Sequence, residues 1–324
     1  MLKSITTLLA GVAFTVNAIA QEPVWDGNTI ILESQKVSDG IYAVIPSDAS
    51  EKAGSGYPIA TSGGFVIGEN SVLVIESMIN ERLAEQMISL VKAETDKPIK
   101  YLVNTSYHGD HSYGNYVFPS SVSIIQHESA KDYVDNYFEQ DTAFMISNFG
   151  EGRGIEDVIP KTGDILVPKN GSISIDLGGK TVDIDDFGFA QTGGDLFVSV
   201  KGENILWTGN PVVSTKPALP WLLDGHLLET LATMKYVYGA INESTLVIPG
   251  HGPITNRSAI KWHIDYLTAL KNKVEKAIAR GLSLEETVEK VQLPKYQGYA
   301  LHGWVHSGLN VPAAYKELSS SKVK

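Results

Sequence analysis

Residues 104–115 read Asn-Thr-Ser-Tyr-His-Gly-Asp-His-Ser-Tyr-Gly-Asn. They follow Ile99–Val103, a short run rich in aliphatic and aromatic residues that predicts a strand, so the stretch starts where a strand ends. His108-Gly109-Asp110-His111 places two imidazoles and a carboxylate within four residues of a glycine-containing loop. Loops at strand ends are where layered α/β folds keep their chemistry. Imidazole nitrogen and carboxylate oxygen are a donor set that zinc accepts, and a catalytic zinc keeps one position open. A plainer alternative is a polar loop capping a helix, with Asp110 as the N-cap.

The rest of the chain sets the frame. A composition of 43% hydrophobic and 19% charged residues over 324 positions is enough for a sizeable core. Residues 1–20 carry one basic residue, Lys3, then an apolar run ending Ala18-Ile19-Ala20. That is the pattern of a secretory signal peptide, and the run is short for a bilayer span. The expectation is a periplasmic or secreted protein starting near Gln21, with no stable membrane insertion after cleavage. The net charge of −11 disfavours nucleic-acid partners. With no cysteine, a metal has to be held by His, Asp, Glu or neutral oxygen donors.

Strand-like and helix-like segments alternate. Strands are predicted at Ile41–Ile45, at Gly64–Ile67 and Val72–Ile75 as a hairpin, and at Val122–Gln126. More follow at Ile173–Leu177, Thr181–Ile184, Leu196–Val200, Ile205–Thr208 and Leu246–Ile248. Helices are predicted near 80–93, 127–139, 225–238, 257–280 and 283–291. Two similar halves suggest two sheets packed face to face with helices outside. We expect one domain over 21–280 and a helical extension over 281–324 packed on it. The segments 140–165 and 210–226 are expected to be irregular and able to cover a substrate. Trp25, Tyr57, Phe138, Phe144, Trp207 and Trp221 are candidate pocket walls.

The distant pieces resemble the metallo-β-lactamase superfamily, in order, over about residues 35–255. The signature H-x-H-x-D-H appears as Ser106-Tyr107-His108-Gly109-Asp110-His111, followed by Gly114-Asn115. A histidine before T-x-G-D is replaced in Gln191-Thr192-Gly193-Gly194-Asp195, and an aspartate after a strand is replaced in Thr208-Gly209-Asn210. The P-G-H-G signature is intact at Pro249-Gly250-His251-Gly252.

The resemblance implies an α/β fold, a four-layer αββα sandwich of two mixed β-sheets. It also implies a two-metal centre that is half lost. The positions of one site are Ser106, His108 and Gln191, and the bridging aspartate is Asn210. Those of the other are Asp110, His111 and His251, all retained. It therefore implies one Zn²⁺ per chain on Asp110, His111 and His251, with His108 either a further ligand or, with Asp110, the catalytic base. Ser106, Gln191 and Asn210 would hydrogen-bond substrate. Glu76 stands where the family has an aspartate and either orients a ligand histidine or is a strand-end carboxylate. Asp195 is expected to be scaffolding, and His127, His226 and His263 structural. His302 and His306 lie outside the signatures and are expected to pack rather than ligate.

The function so implied is an exported hydrolase that attacks a small ester, lactone, thioester or amide with a zinc-activated water. The alternative is a catalytically weak or inactive ligand-binding protein on the same scaffold. Iron-dependent oxygenation needs the first-site ligands and is disfavoured by Ser106, Gln191 and Asn210. The sequence leaves the oligomeric state open.

Overall fold

The structure, a computed structural model, describes residues 27–56, 60–149 and 151–320. The signal-peptide reading at 1–20 and the aromatic residues Trp25 and Tyr57 lie outside them. No helix among the described residues is long and apolar enough to cross a membrane.

The first half of the chain runs β1 (Leu32–Ser38), β2 (Ile41–Pro46), α1 (Ala49–Gly54), β3 (Gly63–Ile67), β4 (Val72–Ile75), α2 (Glu81–Glu94) and β5 (Ile99–Val103). It continues through α3 (Gly109–Ser112), a 3₁₀ turn (Tyr113–Val117), β6 (Ser123–His127), α4 (Glu128–Phe149) and β7 (Ile165–Val167). The second half runs β8 (Ser172–Asp176), β9 (Thr181–Asp185), β10 (Phe197–Val200), β11 (Ile205–Gly209), α5 (Leu227–Ala240), β12 (Leu246–Pro249) and β13 (Thr255–Asn256). Then come α6 (Arg257–Ala279), α7 (Leu284–Lys290), a π-helix (Gly303–Asn310) and α8 (Val311–Ser320).

Strands β1 to β7 form a seven-stranded sheet in chain order, antiparallel from β1 to β4 and parallel from β4 to β7. The second sheet has six strands in the order β13-β12-β11-β10-β9-β8, with β11 and β12 parallel and the other pairs antiparallel. Both sheets are mixed, as expected.

The pleat explains the layering. Alternate residues of a strand face opposite sides. On β2, Ile41, Ala43 and Ile45 face the second sheet, where they join Val182, Ile184, Val198 and Trp207 in one buried cluster. Their neighbours Tyr42 and Val44 face the other way and pack with Leu83, Met87 and Val91 of α2. The outer face of the second sheet, with Phe197, Leu206 and Val247, is covered by Leu231 and Met234 of α5, Ile260 and Leu267 of α6, and Ala314 of α8. Helix, sheet, sheet and helix are thus joined by three apolar interfaces, which is the four-layer αββα arrangement.

The ends of the elements carry their own signals. Asn80 accepts a hydrogen bond from Leu83 N at 2.9 Å and starts α2, and Ser283 and Glu286 form a capping box on α7.

Several expectations are corrected. Residues 140–149 are not irregular, because α4 continues through them to Phe149. Beyond the helix expected at 283–291, the π-helix and α8 follow and complete the core over the second sheet. Trp207 is not a pocket wall. It is buried between the sheets, and its indole N–H donates to Gly63 O at 2.9 Å. Phe138 packs against the cluster under α2 and does not line the cavity described below.

Trp207 ties the two sheets by contact and by hydrogen bond. Trp207→Ala should lower the unfolding free energy by about 3–5 kcal/mol, and Trp207→Phe, which loses mainly the hydrogen bond, by about 1 kcal/mol. Urea denaturation followed by circular dichroism measures both.

Candidate metal centre and cavity

The site lies where the loops after β5, β11 and β12 meet. The two sheets are stitched together at this edge. Leu196 N donates to Thr105 O at 2.9 Å, and Ser62 N donates to Gly250 O at 2.8 Å. The Ser62 hydroxyl donates to Gly252 O at 2.7 Å. Loops from different sheets are thus fixed against one another before any ligand is considered.

The stretch 104–115 closes on itself through its two terminal asparagines. Asn115 Nδ2 donates to Asn104 Oδ1 at 2.9 Å, and so does Gln126 Nε2 at 2.9 Å. Asn104 Nδ2 donates to His111 O at 2.9 Å. Gly114 sits so close to Ser77 that a Cβ would lie 2.0 Å from its carbonyl oxygen, so only glycine fits. Helix α3 begins at Gly109 with His108 at the N-cap position, so Asp110 lies inside the first turn and is not the cap.

This backbone delivers Asp110 and His111 to His251. Their ligand atoms all lie within 4.8 Å of one another, the one such group among the described residues able to hold a metal ion. Asp110 Oδ2 is 3.2 Å from His251 Nε2 and 3.6 Å from His111 Nε2. The Thr61 hydroxyl donates to Asp110 O at 2.9 Å. Glu76 Oε1 lies 3.0 Å from His111 Nδ1, which leaves Nε2 facing the cluster. Glu76 is buried against His111 and is therefore not a surface carboxylate at a strand end. Glu76 and Met78 both have left-handed backbone, with φ of 72° and 70°. Non-glycine residues adopt that only where surroundings enforce it, and often beside a site.

The electrostatics follow from burial and proximity. Burial disfavours charge on His111, but the facing carboxylates of Asp110 and Glu76 outweigh it and push its pKa up to about 9. Burial likewise opposes the Asp110 carboxylate, yet His111, then His251, hold it well below the usual carboxylate range. Burial pushes His108 down. Asp110, His111 and His251 could hold a divalent cation, whose charge would take the place of a proton on His111.

The other predicted residues fall differently. His108 does not join the cluster, and its Nδ1 is 3.4 Å from Asn210 Nδ2. Ser106 is buried, and its hydroxyl accepts from His108 N at 3.3 Å. Gln191 is buried, and neither its amide nitrogen nor its oxygen has a hydrogen-bond partner among the described residues. Asn210 Oδ1 is likewise without one. Asp195 is scaffolding: it accepts from the backbone N–H groups of Gln191 at 2.6 Å and Thr192 at 2.7 Å. His306 is buried between Tyr266 Oη and Val291 O, both at 2.9 Å, and His127 pairs with Asp186 at 3.2 Å. Neither serves the metal centre. His302 lies beside His306, with ring centroids 4.8 Å apart. His226 pairs with Glu229 at the start of α5, and His263 is buried within α6.

A cavity of about 570 Å³ opens over His108, Asp110, Asn210 and His251. Phe144 and Trp221 line it as expected. Ser106 and Gln191 do not. Sequence reading missed Tyr107, Tyr133, Tyr137, Asp141, Asp224 and Trp304, which also line it. Tyr133, Tyr137 and Phe144 recur at helical spacing along α4, the first two within the helix expected at 127–139 and the third beyond its expected end.

The fold has solved counterparts. A metallo-β-lactamase from Pontibacter korlensis superposes with a TM-score of 0.53 at 18% identity, covering 73% of this chain and 99% of that one. The metallo-β-lactamase FIM-1 from Pseudomonas aeruginosa, in a mono-zinc form, gives 0.56 at 16% identity, covering 74% and 95%. The stereoselective inverting sec-alkylsulfatase Pisa1 from Pseudomonas sp. gives 0.69 at 15% identity, covering 89% of this chain but 50% of that one. These likenesses establish the metallo-β-lactamase fold. No protein-family model and no curated protein sequence matches the chain.

Two outcomes are expected. Asn104→Ala strands the Gln126 amide nitrogen, whereas Asn115 keeps its bond to Lys161 O and the His111 carbonyl keeps its bonds from Ser77. The substitution should cost about 1–3 kcal/mol of stability; urea midpoints test it. A proton on His111 competes with a metal up to about pH 9, so zinc affinity should rise with pH from 6 to 8.5. Calorimetry at pH 7 in buffers of different ionisation enthalpy should register proton release on zinc binding, and His111→Gln should lose it.

Proposed function

We propose that this protein binds a small organic molecule in the cavity over a single divalent cation, on a metallohydrolase scaffold whose catalysis is weak or lost. One observation carries the reading: the half of the centre that would hold a second cation is chemically neutral. Ser106, Gln191 and Asn210 bring no charge, and the Asn210 amide faces His108 Nδ1 at 3.4 Å. Asn210 in particular lacks the negative charge that two adjacent cations would need between them.

Asp110, His111 and His251 would hold the one cation, for which zinc fits the donor set. When bound, it would supply Lewis acidity and the means to deprotonate water near neutral pH. The chain's own groups do the rest. Glu76 fixes the His111 ring, Thr61 and the Asn104 network fix the loop, and Asn210 offers an amide to the ligand. His108, kept neutral by burial, has a nitrogen able to take a proton.

The second reading is a working hydrolase of esters, lactones, thioesters or amides. It is favoured by a cavity that opens directly over Asp110 and His251 and by the nearness of His108. Export to a periplasm or medium, which we also propose, rests on the sequence of residues 1–20 alone.

A ligand screen by thermal shift, with and without zinc, separates the readings. The binding reading expects ligands whose affinity survives His251→Ala while zinc is lost. It also expects turnover of ester, lactone, thioester and amide panels at or near background. Turnover abolished by both His251→Ala and His108→Ala would favour the hydrolase instead.

A further inference from the structure

The cavity has a pronounced chemical bias that the metal centre does not require. Its outer walls are aromatic. Tyr107 stacks on Tyr133 with ring centroids 4.0 Å apart, and Tyr133 meets Tyr137 at 5.5 Å. On the opposite strip, Trp221 and Trp304 stand edge to face at 5.0 Å. Tyr137, Phe144 and Trp304 remain 52%, 49% and 45% exposed, a cluster of half-bare rings around one opening. Among the described residues, no lysine or arginine lines the cavity, whereas three carboxylates do: Asp110, Asp141 and Asp224.

The two outer carboxylates are held in place by the aromatic wall. Asp141 accepts hydrogen bonds from Tyr113 Oη and from Tyr133 Oη, the latter at 2.9 Å, and Asp224 accepts from Tyr107 Oη. In each such bond the carboxylate pushes electron density onto the phenol that donates to it, so ring faces and carboxylates present negative potential together. At this outer end a ligand anion would meet that potential with no lysine or arginine among the described residues to offset it. A positively charged, weakly hydrated group is attracted by aromatic faces and by nearby carboxylates alike.

The wall is also built to keep its shape. Trp304 rides on the π-helix, whose other side is tied into the core. Asn310 Nδ2 donates to Pro220 O at 2.8 Å, and Asn310 Oδ1 accepts from Leu222 N at 2.9 Å, so the π-helix grips both flanks of Trp221. Trp221 Nε1 donates to Tyr299 Oη at 2.9 Å. π-Helical segments often occur where a side chain must be aimed at a site.

We propose that the cavity is a receptor for an organic cation, a protonated or quaternary amine on an apolar body, whose charged end sits among these rings and Asp224. The inference rests on the ligand-binding reading above and gives its ligand class. The aromatic end holds the ammonium group, and the remainder of the ligand extends towards Asn210 and the metal centre.

Three shape-matched probes test it on the full zinc-loaded chain: benzyltrimethylammonium, its uncharged carbon isostere neopentylbenzene, and benzylsulfonate. Affinity is read by tryptophan fluorescence and by saturation-transfer NMR. The cation should bind about tenfold more tightly than the isostere, with the sulfonate weakest. Asp224→Asn, an exposed position, should cut the cation's affinity several-fold and leave the isostere unchanged. Trp304→Ala should weaken the cation, with circular dichroism confirming the fold and Phe144→Ala as a second wall variant. Isostere or sulfonate binding as tightly as the cation would overturn the inference and leave a ligand-binding cavity standing. Binding by none of the three would overturn both.

Discussion

Asp110 is a carboxylate shut away from water, and the architecture around it exists in a form that makes this tolerable. A buried unpaired charge is among the most costly features a fold can carry. Here the charge is met by His111, adjacent in sequence, and by His251, 141 positions later and from the other sheet. Neither sheet alone can satisfy it. The bonds that lock Thr105 to Leu196 and Ser62 to Gly250 and Gly252 fix the two loops at the distance this meeting requires. The stability of the sandwich edge and the meeting of these three candidate ligands are thus one problem with one solution.

Much of this was readable from the sequence, for identifiable reasons. Ile41–Ile45 and Val72–Ile75 are dense in β-branched residues, and both are strands. His251 could be linked to Asp110 only through the resemblance of Pro249–Gly252 and Ser106–His111 to a family pattern, since nothing local connects them. What was missed lacks local signal. β1 has the sequence Leu-Glu-Ser-Gln-Lys-Val-Ser, an edge strand held by pairing to β2 rather than by an apolar face. The π-helix contains Gly303, Gly308 and Val305, a composition poor in helix formers. It is stabilised by His306 and Asn310 bonding to Tyr266, Val291 and Pro220, partners that no window of sequence contains.

The floor of the cleft and the cavity above it differ in chemical character. At the floor, Ser106, Gln191 and Asn210 carry no charge, and among the described residues buried amide atoms of the last two lack partners. Above the floor, the wall is dense with aromatic rings and carboxylates tied together by phenolic hydrogen bonds. The fold itself does not decide between binding and turnover, because function resides in sites and not in architecture.

The central claim is that one cation is shared by Asp110, His111 and His251 and that the neighbouring half of the cleft holds none. Crystals grown with zinc, measured on both sides of the zinc absorption edge, test it directly. The account predicts one anomalous peak, within bonding distance of those three side chains. Two peaks, with the second beside His108, Gln191 and Asn210, or a single peak away from His251, would contradict it.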